Sequence, residues 1–275
     1  MSQIDLILNL AGLLLWLNWR SARLDALTKA TPATLPGTLR RAPPNRFKLW
    51  HFLAALGALL IVRAFFYWQI GGAMNWVARL NLEITSIPFM NDFFRRMLLF
   101  SVLSFALTLA CFYLWLIFFA IVNRDKDDPI QKLARLTLGK PSRWPNWILF
   151  LLPSLIAIVV WLVLSPLLAW MGLAHSASFM HRIGQGALLG IGSFLTWKYL
   201  IGAILGLYLL NSYIYLGKHP LWNFVNLTAK QIMHPFRKLP LEIGKADFTP
   251  VLTIVIVFLL AEGLQRGLVA IYERL

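Results

Sequence analysis

The chain has 275 residues, of which 59% are hydrophobic and only 13% are charged, and its mean hydropathy is +0.68. An average soluble domain is about 25% charged, so this composition excludes a disordered chain and argues against a soluble globular enzyme. Lysine and arginine outnumber aspartate and glutamate by 26 to 11, which gives a net charge of +15. The single cysteine, Cys111, lies in an apolar run, which excludes an intrachain disulfide and a thiolate metal site.

Six apolar stretches approach or exceed the length of about 20 residues that a helix needs to cross a bilayer. They predict an all-α polytopic bundle of about six transmembrane helices. The first stretch is shorter than the others and contains the polar residues Asp5 and Asn9. No basic region precedes it, so we expect it to remain as a helix rather than to be cleaved as a signal peptide. The six predicted spans are residues 4–19, 49–70, 97–122, 147–171, 187–216 and 250–269.

The basic residues alternate along the chain. Three alternate loops, residues 20–48, 123–143 and 217–247, contain 18 of the 26 lysines and arginines, whereas the segments on the opposite side contain five. By the positive-inside rule, the three basic loops are cytoplasmic and both termini lie on the other side. This distribution predicts a multi-pass protein of a bacterial cytoplasmic (inner) membrane. It argues against binding of nucleic acid, which would need one basic face or stripe.

Three basic residues fall within the predicted spans, where charged groups are costly and often functional. Lys198 is flanked by two aromatic residues, which predicts an anchor at the membrane interface. Arg266 follows Glu262 by four residues, so the two side chains can pair on one helical face. Arg63 has no evident partner, and we expect its side chain to snorkel towards the interface.

The segments between the spans also carry signals. The first basic loop is rich in proline, threonine and glycine, which predicts an unfolded tether whose charges can lie against anionic headgroups. Residues 71–96 are partly apolar and predict an interfacial helix. The pairs Gly186/Gly190 and Gly202/Gly206 have the four-residue spacing that favours close helix packing.

Residues 104–164 and 202–262 look alike. In each, a span is followed by a short amphipathic segment that begins at a proline, Pro129 or Pro220, and by a basic turn punctuated by prolines before the next span. Because a proline suits the first turn of a helix, both segments predict short amphipathic helices. The pattern indicates a parallel duplication, with an N-terminal region over 1–96, a degenerate first repeat over 97–171 and a second repeat over 187–275.

The turn before the last span contains a candidate binding surface. Thr249 is placed to cap the helix and Pro250 suits its first turn, while Asp247 adds negative charge near the positive end of the helix dipole. The neighbouring cations can pair with Asp247 or bind lipid phosphates, which would make a cytoplasmic platform for a partner or lipid. The alternative is a helix cap with ordinary positive-inside charges. The candidate residues of this platform are Arg237, Lys238, Lys245, Asp247, Thr249 and Pro250.

The second repeat resembles the YggT family. The resemblance rests on the proline-led segment 219–222, the proline-bounded basic segment 234–240 and the turn 244–250, with Lys238 in place of an arginine and Thr249 in place of a serine. It covers about residues 104–265 and is specific in the second half; the first repeat lacks the last turn. It implies a helical membrane protein linked to osmotic-stress tolerance in bacteria or, as in plastid relatives, to cytochrome haem attachment or nucleoid organisation.

No catalytic constellation is evident: the five histidines lack the spacing of a zinc site, and we predict no enzyme activity, metal or cofactor. The leading hypothesis is a scaffold, assembly factor or accessory subunit of a membrane complex, with a role in osmotic stress and with the lipid bilayer and other membrane proteins or a homo-oligomer as partners. One alternative is a channel or transporter active in osmotic adaptation, whose candidate pathway residues are Arg63, Lys198, Asn211 and Glu262. A second is a haem-handling cytochrome assembly factor, whose conceivable ligands are His51, His219 and His234.

Overall fold

A computed structural model describes residues 2–28, 49–73, 76–124, 132, 137–139, 141, 144–173, 178–214, 219–236, 242–243 and 246–274. Helices dominate these residues, with two short hairpins between them. In chain order the elements are α1 (Ser2–Thr28), α2 (Leu49–Ala73), β1 (Ala78–Asn81), β2 (Ser86–Phe89), α3 (Phe94–Val122), α4 (Asn146–Trp170), α5 (Phe179–Ser193), α6 (Trp197–Tyr213), α7 (Pro220–Ile232), β3 (Glu242–Ile243), β4 (Ala246–Asp247) and α8 (Thr249–Tyr272).

Within the described residues, five helical segments are long and apolar enough to cross a membrane. They are Trp50–Gly71, Phe94–Val122, Asn146–Trp170, Phe179–Ser212 and Thr249–Tyr272. A helix satisfies its own backbone hydrogen bonds, which is what a segment in hydrocarbon requires. The protein is therefore a multi-pass membrane protein, and the predicted all-α fold class is confirmed. Helix α1 has 27 residues, but it is not among these five segments.

The predicted fifth span begins earlier than expected and is not one regular helix. Helix α5 begins at Phe179, after Ser178 caps it by accepting a hydrogen bond from the amide of His181. A 3-10 turn, Phe194–Thr196, then separates α5 from α6. The polar residues His181 and Arg182 interrupt the apolar pattern in the first turn of α5.

Close packing through glycine, predicted for the fifth stretch, is confirmed between α4 and α5. A Cβ on Gly186 would lie 2.9 Å from Ile158 Cα, and a Cβ on Gly190 would lie 2.7 Å from Ser154 Cα. Both distances are too short for a side chain, so only glycine lets the two backbones approach this closely. By contrast, Gly206 has nothing within 4 Å of a built Cβ.

The predicted interfacial helix over 71–96 is wrong in its central part. Strands β1 and β2 pair there as a two-stranded sheet, and buried residues alternate with exposed ones along both strands. The alternation has the period of two that a strand imposes. Leu80, Ile87 and Phe89 are buried by it.

The chain divides into two compact units. The first unit contains residues 1–80 and 88–109, and the second contains residues 81–87 and 110–275. In the second unit a cluster of buried apolar side chains joins α3, α6 and α7. Its members are Phe118, Leu200, Ile204, Leu205, Val225, Ala229 and Met233.

The amphipathic helix that the sequence predicts after Pro220 is confirmed as α7. His219 is its N-cap, with Nδ1 accepting from the amide of Leu221, and buried Asn123 Nδ2 donates to Thr228 Oγ1 over 2.8 Å. Most of the corresponding segment after Pro129 lies outside the described residues. The tandem repeat and its domain boundaries therefore stay predictions.

Candidate functional site

The first polar cluster within the helices surrounds Arg63, in the first unit. The Arg63 guanidinium forms an ion pair with Asp5 and donates to Asn9 Oδ1 over 2.6 Å. It also donates to Ser104 Oγ over 2.9 Å, while Tyr67 donates to the Asp5 carboxylate over 2.9 Å. Helices α1, α2 and α3 each contribute to the cluster, which therefore ties three helices together.

Burial of Arg63 contradicts the expectation that its side chain snorkels to the interface. The residue is only 2% exposed, and its guanidinium carbon lies 5.4 Å from the centre of the Tyr67 ring and 5.8 Å from that of Phe100. Snorkelling is unnecessary because the acid and amide that Arg63 needs are supplied by α1. Those residues, Asp5 and Asn9, are the polar residues within the first predicted span.

A signal for this cluster was present in the sequence. Asp5 and Asn9 are four residues apart, so a helix places both on the same face. A cation at bilayer depth usually has an acidic partner, and Asp5 is the one charged residue in the apolar stretch 4–19. Matching each intramembrane cation to an available acid would have linked Asp5 to Arg63.

The second polar cluster surrounds Lys198, in the second unit. Lys198 Nζ donates to Gln265 Oε1 over 3.0 Å and lies 3.9 Å from the Glu83 carboxylate. Gln265 Nε2 in turn donates to the backbone carbonyl of Glu83 over 2.8 Å. Glu83 lies between β1 and β2 and has a positive φ of 63°, so the tip of the hairpin is fixed to α6 and α8.

Apolar packing holds the same hairpin tip. Ile84 is buried among Leu188, Leu195 and Leu268, and its Cδ1 occupies the space where Gly192 lacks a side chain, 2.3 Å from a built Cβ. Lys198 itself is only 8% exposed. The expectation of an interfacial anchor at Lys198 is therefore wrong, because Glu83 and Gln265 provide polar partners that the sequence pattern did not reveal.

The third polar group is the predicted pair on α8, and its pairing is confirmed. Arg266 Nε donates to Glu262 Oε1 over 3.0 Å. Unlike the other two cations, Arg266 is on an open surface: its side chain is 79% exposed and that of Glu262 is 53% exposed. A groove of about 340 Å³ runs beside the pair, lined by Glu262, Gln265, Arg266, Val269, Ala270 and Glu273.

The exposed surface of α4 is different in kind. Its exposed large side chains, among them Leu155, Val159 and Val163, are apolar, and the helix contains no charged residue from Asn146 to Trp170. That surface matches the hydrocarbon of a bilayer. A charged side chain near the centre of a spanning helix costs roughly 2.5 to 3.5 kcal/mol on insertion scales, so the exposed pair on α8 does not match it.

The predicted platform before α8 is described only in part. Arg237, Lys238 and Lys245 lie outside the described residues. The backbone of Asp247 lies opposite that of Glu242 in the β3–β4 hairpin. Thr249 and Pro250 are buried, and Pro250 occupies the first turn as predicted. Thr249 is not the N-cap: the helix begins at Thr249, and its N-cap is Phe248, whose side chain makes no capping hydrogen bond.

The three histidines considered as haem ligands lie in three different local environments. His51 stacks on Trp50 with 4.3 Å between ring centres, His219 caps α7, and His234 begins a 3-10 turn. In the part of the chain that the structure describes, histidine, cysteine, aspartate and glutamate form no group of three that could hold a metal ion.

Comparison of the chain with protein-family models, with curated proteins and with solved structures finds no match.

Proposed function

We propose that this protein is a non-enzymatic scaffold or accessory subunit that binds another membrane protein through the exposed face of α8. The observation that carries the proposal is the Glu262–Arg266 ion pair, exposed on a helix that is otherwise apolar enough to span a membrane. A charged pair is stabilised in hydrocarbon when protein covers it. A binding partner at this face would supply that cover.

The polar clusters around Arg63 and Lys198 support the same proposal. Each is closed by hydrogen bonds to its own unit, so each fixes helices or the hairpin tip. A channel or transporter would instead use these cations to contact a passing ion. Asn211 is a further candidate for such a pathway, and its Nδ2 donates a hydrogen bond to Asn226 Oδ1 over 3.3 Å.

The resemblance of residues 202–262 to the YggT family supports placing this scaffold role in osmotic-stress tolerance. The alternation of basic loops supports a bacterial inner membrane with both termini on the non-cytoplasmic side. Growth of a deletion strain under high osmolarity, with and without the restored gene, tests the role in osmotic stress. Labelling of single cysteines at either terminus by a membrane-impermeant maleimide tests the location of the termini.

Photo-crosslinking in native membranes tests the binding face directly. We would place benzoylphenylalanine at Leu259 on α8 and, as the matched control, at Val163 on α4; the side chains of both residues are exposed and apolar. The proposal predicts a discrete protein adduct from position 259 and none from position 163. Equal absence of protein adducts at both positions would contradict it, because α8 would then face lipid as α4 does.

A further inference from the structure

We propose that the partner at this face is a second copy of the same chain, joined through α8 around a two-fold axis parallel to the membrane normal. This inference rests on the proposed function, since the second copy is the membrane protein that covers the Glu262–Arg266 pair. Three observations on α8 carry it: the spacing of the residues on the face, the arrangement of the two charges, and the depth of Glu262.

The spacing on α8 is that of a helix-pairing seam. Successive intervals of four, three, four, three and four residues separate six residues that share one side of the helix, and such alternation is the heptad pattern of paired helices. Of these six residues, Val269 is half-buried beside the cluster that contains Ile84, and the other five are exposed. The groove beside the pair runs along the same side. We call this surface the heptad face; its residues are Val255, Leu259, Glu262, Arg266, Val269 and Glu273.

The two charges on the heptad face are complementary to themselves. At about 100° per residue, Glu262 and Arg266 lie roughly 20° to either side of the centre of the face. When two parallel helices are related by a two-fold axis, the half of the heptad face that carries Glu262 in one copy lies opposite the half that carries Arg266 in the other copy. Glu262 of one copy therefore meets Arg266 of the other, and the reverse contact forms by symmetry.

The depth of Glu262 explains why a lipid environment does not suffice. At about 1.5 Å per residue, Glu262 lies roughly 15 Å from Tyr272 and 20 Å from Thr249 along the helix. A glutamate side chain is too short to reach water at either end of the span. Glu273 differs, because it follows the last residue of the span and water reaches it there.

A competing seam lies on the neighbouring side of α8. Gly263 and Gly267 are exposed and have nothing within 4 Å of a built Cβ, and glycines at this spacing favour close packing in membranes. A two-fold contact centred on these glycines leaves Glu262 facing lipid. Burial of the charged pair therefore favours the heptad face.

Disulfide crosslinking of the full chain in native membranes tests the choice of seam. The design uses Leu259→Cys on the heptad face and Leu260→Cys as the matched control, each in a Cys111→Ala background. The two residues are adjacent in depth and equally exposed, at 67% and 68%, but Leu260 points away from the heptad face. We expect oxidation to give a covalent dimer from Leu259→Cys and only monomer from Leu260→Cys.

Charge exchange tests the pairing within that dimer. With Leu259→Cys present, Glu262→Arg alone or Arg266→Glu alone should slow dimer crosslinking about tenfold, because like charges then meet across the axis. The double variant Glu262→Arg/Arg266→Glu should restore it, since opposite charges meet again. Thermal unfolding in micelles identifies any single variant that does not fold, and Glu262→Gln, which removes the charge without reversing it, then takes its place.

The outcomes separate this inference from the proposed function. Crosslinking from Leu260→Cys instead of Leu259→Cys would overturn the heptad-face dimer in favour of the glycine seam. A photo-adduct at position 259 with a different protein, without any dimer, would overturn the second copy as partner and leave the scaffold role standing. Absence of both the dimer and any protein adduct would overturn both.

Discussion

Two ion pairs within the helices, Asp5–Arg63 and Glu262–Arg266, have the same chemistry and opposite surroundings. The first joins residues 58 positions apart and buries its arginine, whose side chain is 1% exposed. The second joins residues four positions apart on one helix and leaves both side chains exposed. A charged pair in a membrane helix can therefore stabilise the protein's own fold or mark a surface for another chain, and only its burial distinguishes the two roles.

The difference has an energetic consequence for substitutions. Removing one partner of a buried pair leaves an uncompensated charge in a low-dielectric region, which costs several kcal/mol. Removing one partner of an exposed pair in a monomer costs little.

Arg63→Ala should have the largest effect. The substitution removes the counter-ion of Asp5 and the donor to Asn9 Oδ1, while Tyr67 and Ser104 still donate to the Asp5 carboxylate. We expect the free energy of unfolding to fall by about 3 kcal/mol, the lower end of the range for buried pairs because Asp5 is partly exposed. Denaturation in mixed micelles measures it. The control is Asp5→Leu/Arg63→Met, which removes both charges and should recover most of the loss. A single variant as stable as the wild type would show that the cluster does not hold α1, α2 and α3 together.

Gly190→Ala tests the contrast between a packed and an open helix surface without changing any charge. Its new Cβ would lie 2.7 Å from Ser154 Cα, which forces α4 and α5 apart. We therefore expect the free energy of unfolding to fall by about 1 to 3 kcal/mol. The matched control is Gly206→Ala, which has open space and should be neutral or slightly stabilising. The same denaturation assay compares the two, and equal effects would contradict the close α4–α5 contact.

Lys198→Met should have an intermediate effect that is partly local. It removes the donor to Gln265 and the cation near Glu83, and we expect about 1 to 2 kcal/mol of destabilisation. Hydrogen exchange at residues 82–85 should accelerate, because the hairpin tip loses its polar attachment while Ile84 keeps its apolar one. A compensating Glu83→Gln in the same chain should restore part of the protection. Unchanged exchange in Lys198→Met would mean that Ile84 alone fixes the tip.

Arg266→Ala should have the smallest effect on the isolated subunit. We expect the free energy of unfolding of the monomer in micelles to fall by less than about 1 kcal/mol, as for other exposed pairs. In membranes the same variant should still weaken crosslinking through Leu259→Cys. A loss of monomer stability as large as that of Arg63→Ala would remove the contrast between the two pairs.

Sequence reasoning predicted the local features and missed the distant ones. The Glu262–Arg266 pair and the α7 helix after Pro220 depend on neighbours within one helix. The spacing of Gly186 and Gly190 predicts close packing, but it does not identify α4 as the helix that they contact. The partners of Arg63 and Lys198 depend on which helices meet. Asp5 and Glu83 are far from these cations along the chain, and no periodicity links them.

The hairpin β1–β2 was missed for a related reason. Residues 71–96 are partly apolar, a composition that fits an amphipathic helix as well as short strands. The alternation of buried and exposed residues is visible only once the strands pair. Similarly, exposure at Glu262 and Arg266 is a property of the packed bundle, so the sequence indicated that the two residues pair but not that they face outward.

The amino-acid sequence alone establishes a helical multi-pass membrane protein, because a segment in hydrocarbon must satisfy its own backbone hydrogen bonds and only long apolar helices do so here. It also determined the local pair on α8, because four residues make about one turn of a helix. Which of the charged side chains are buried and which are exposed becomes evident from the packing of the helices. Burial depends on contacts between helices that are distant in the sequence. Because of those contacts, Arg63 and Lys198 are buried and stabilise the fold, whereas Arg266 remains exposed.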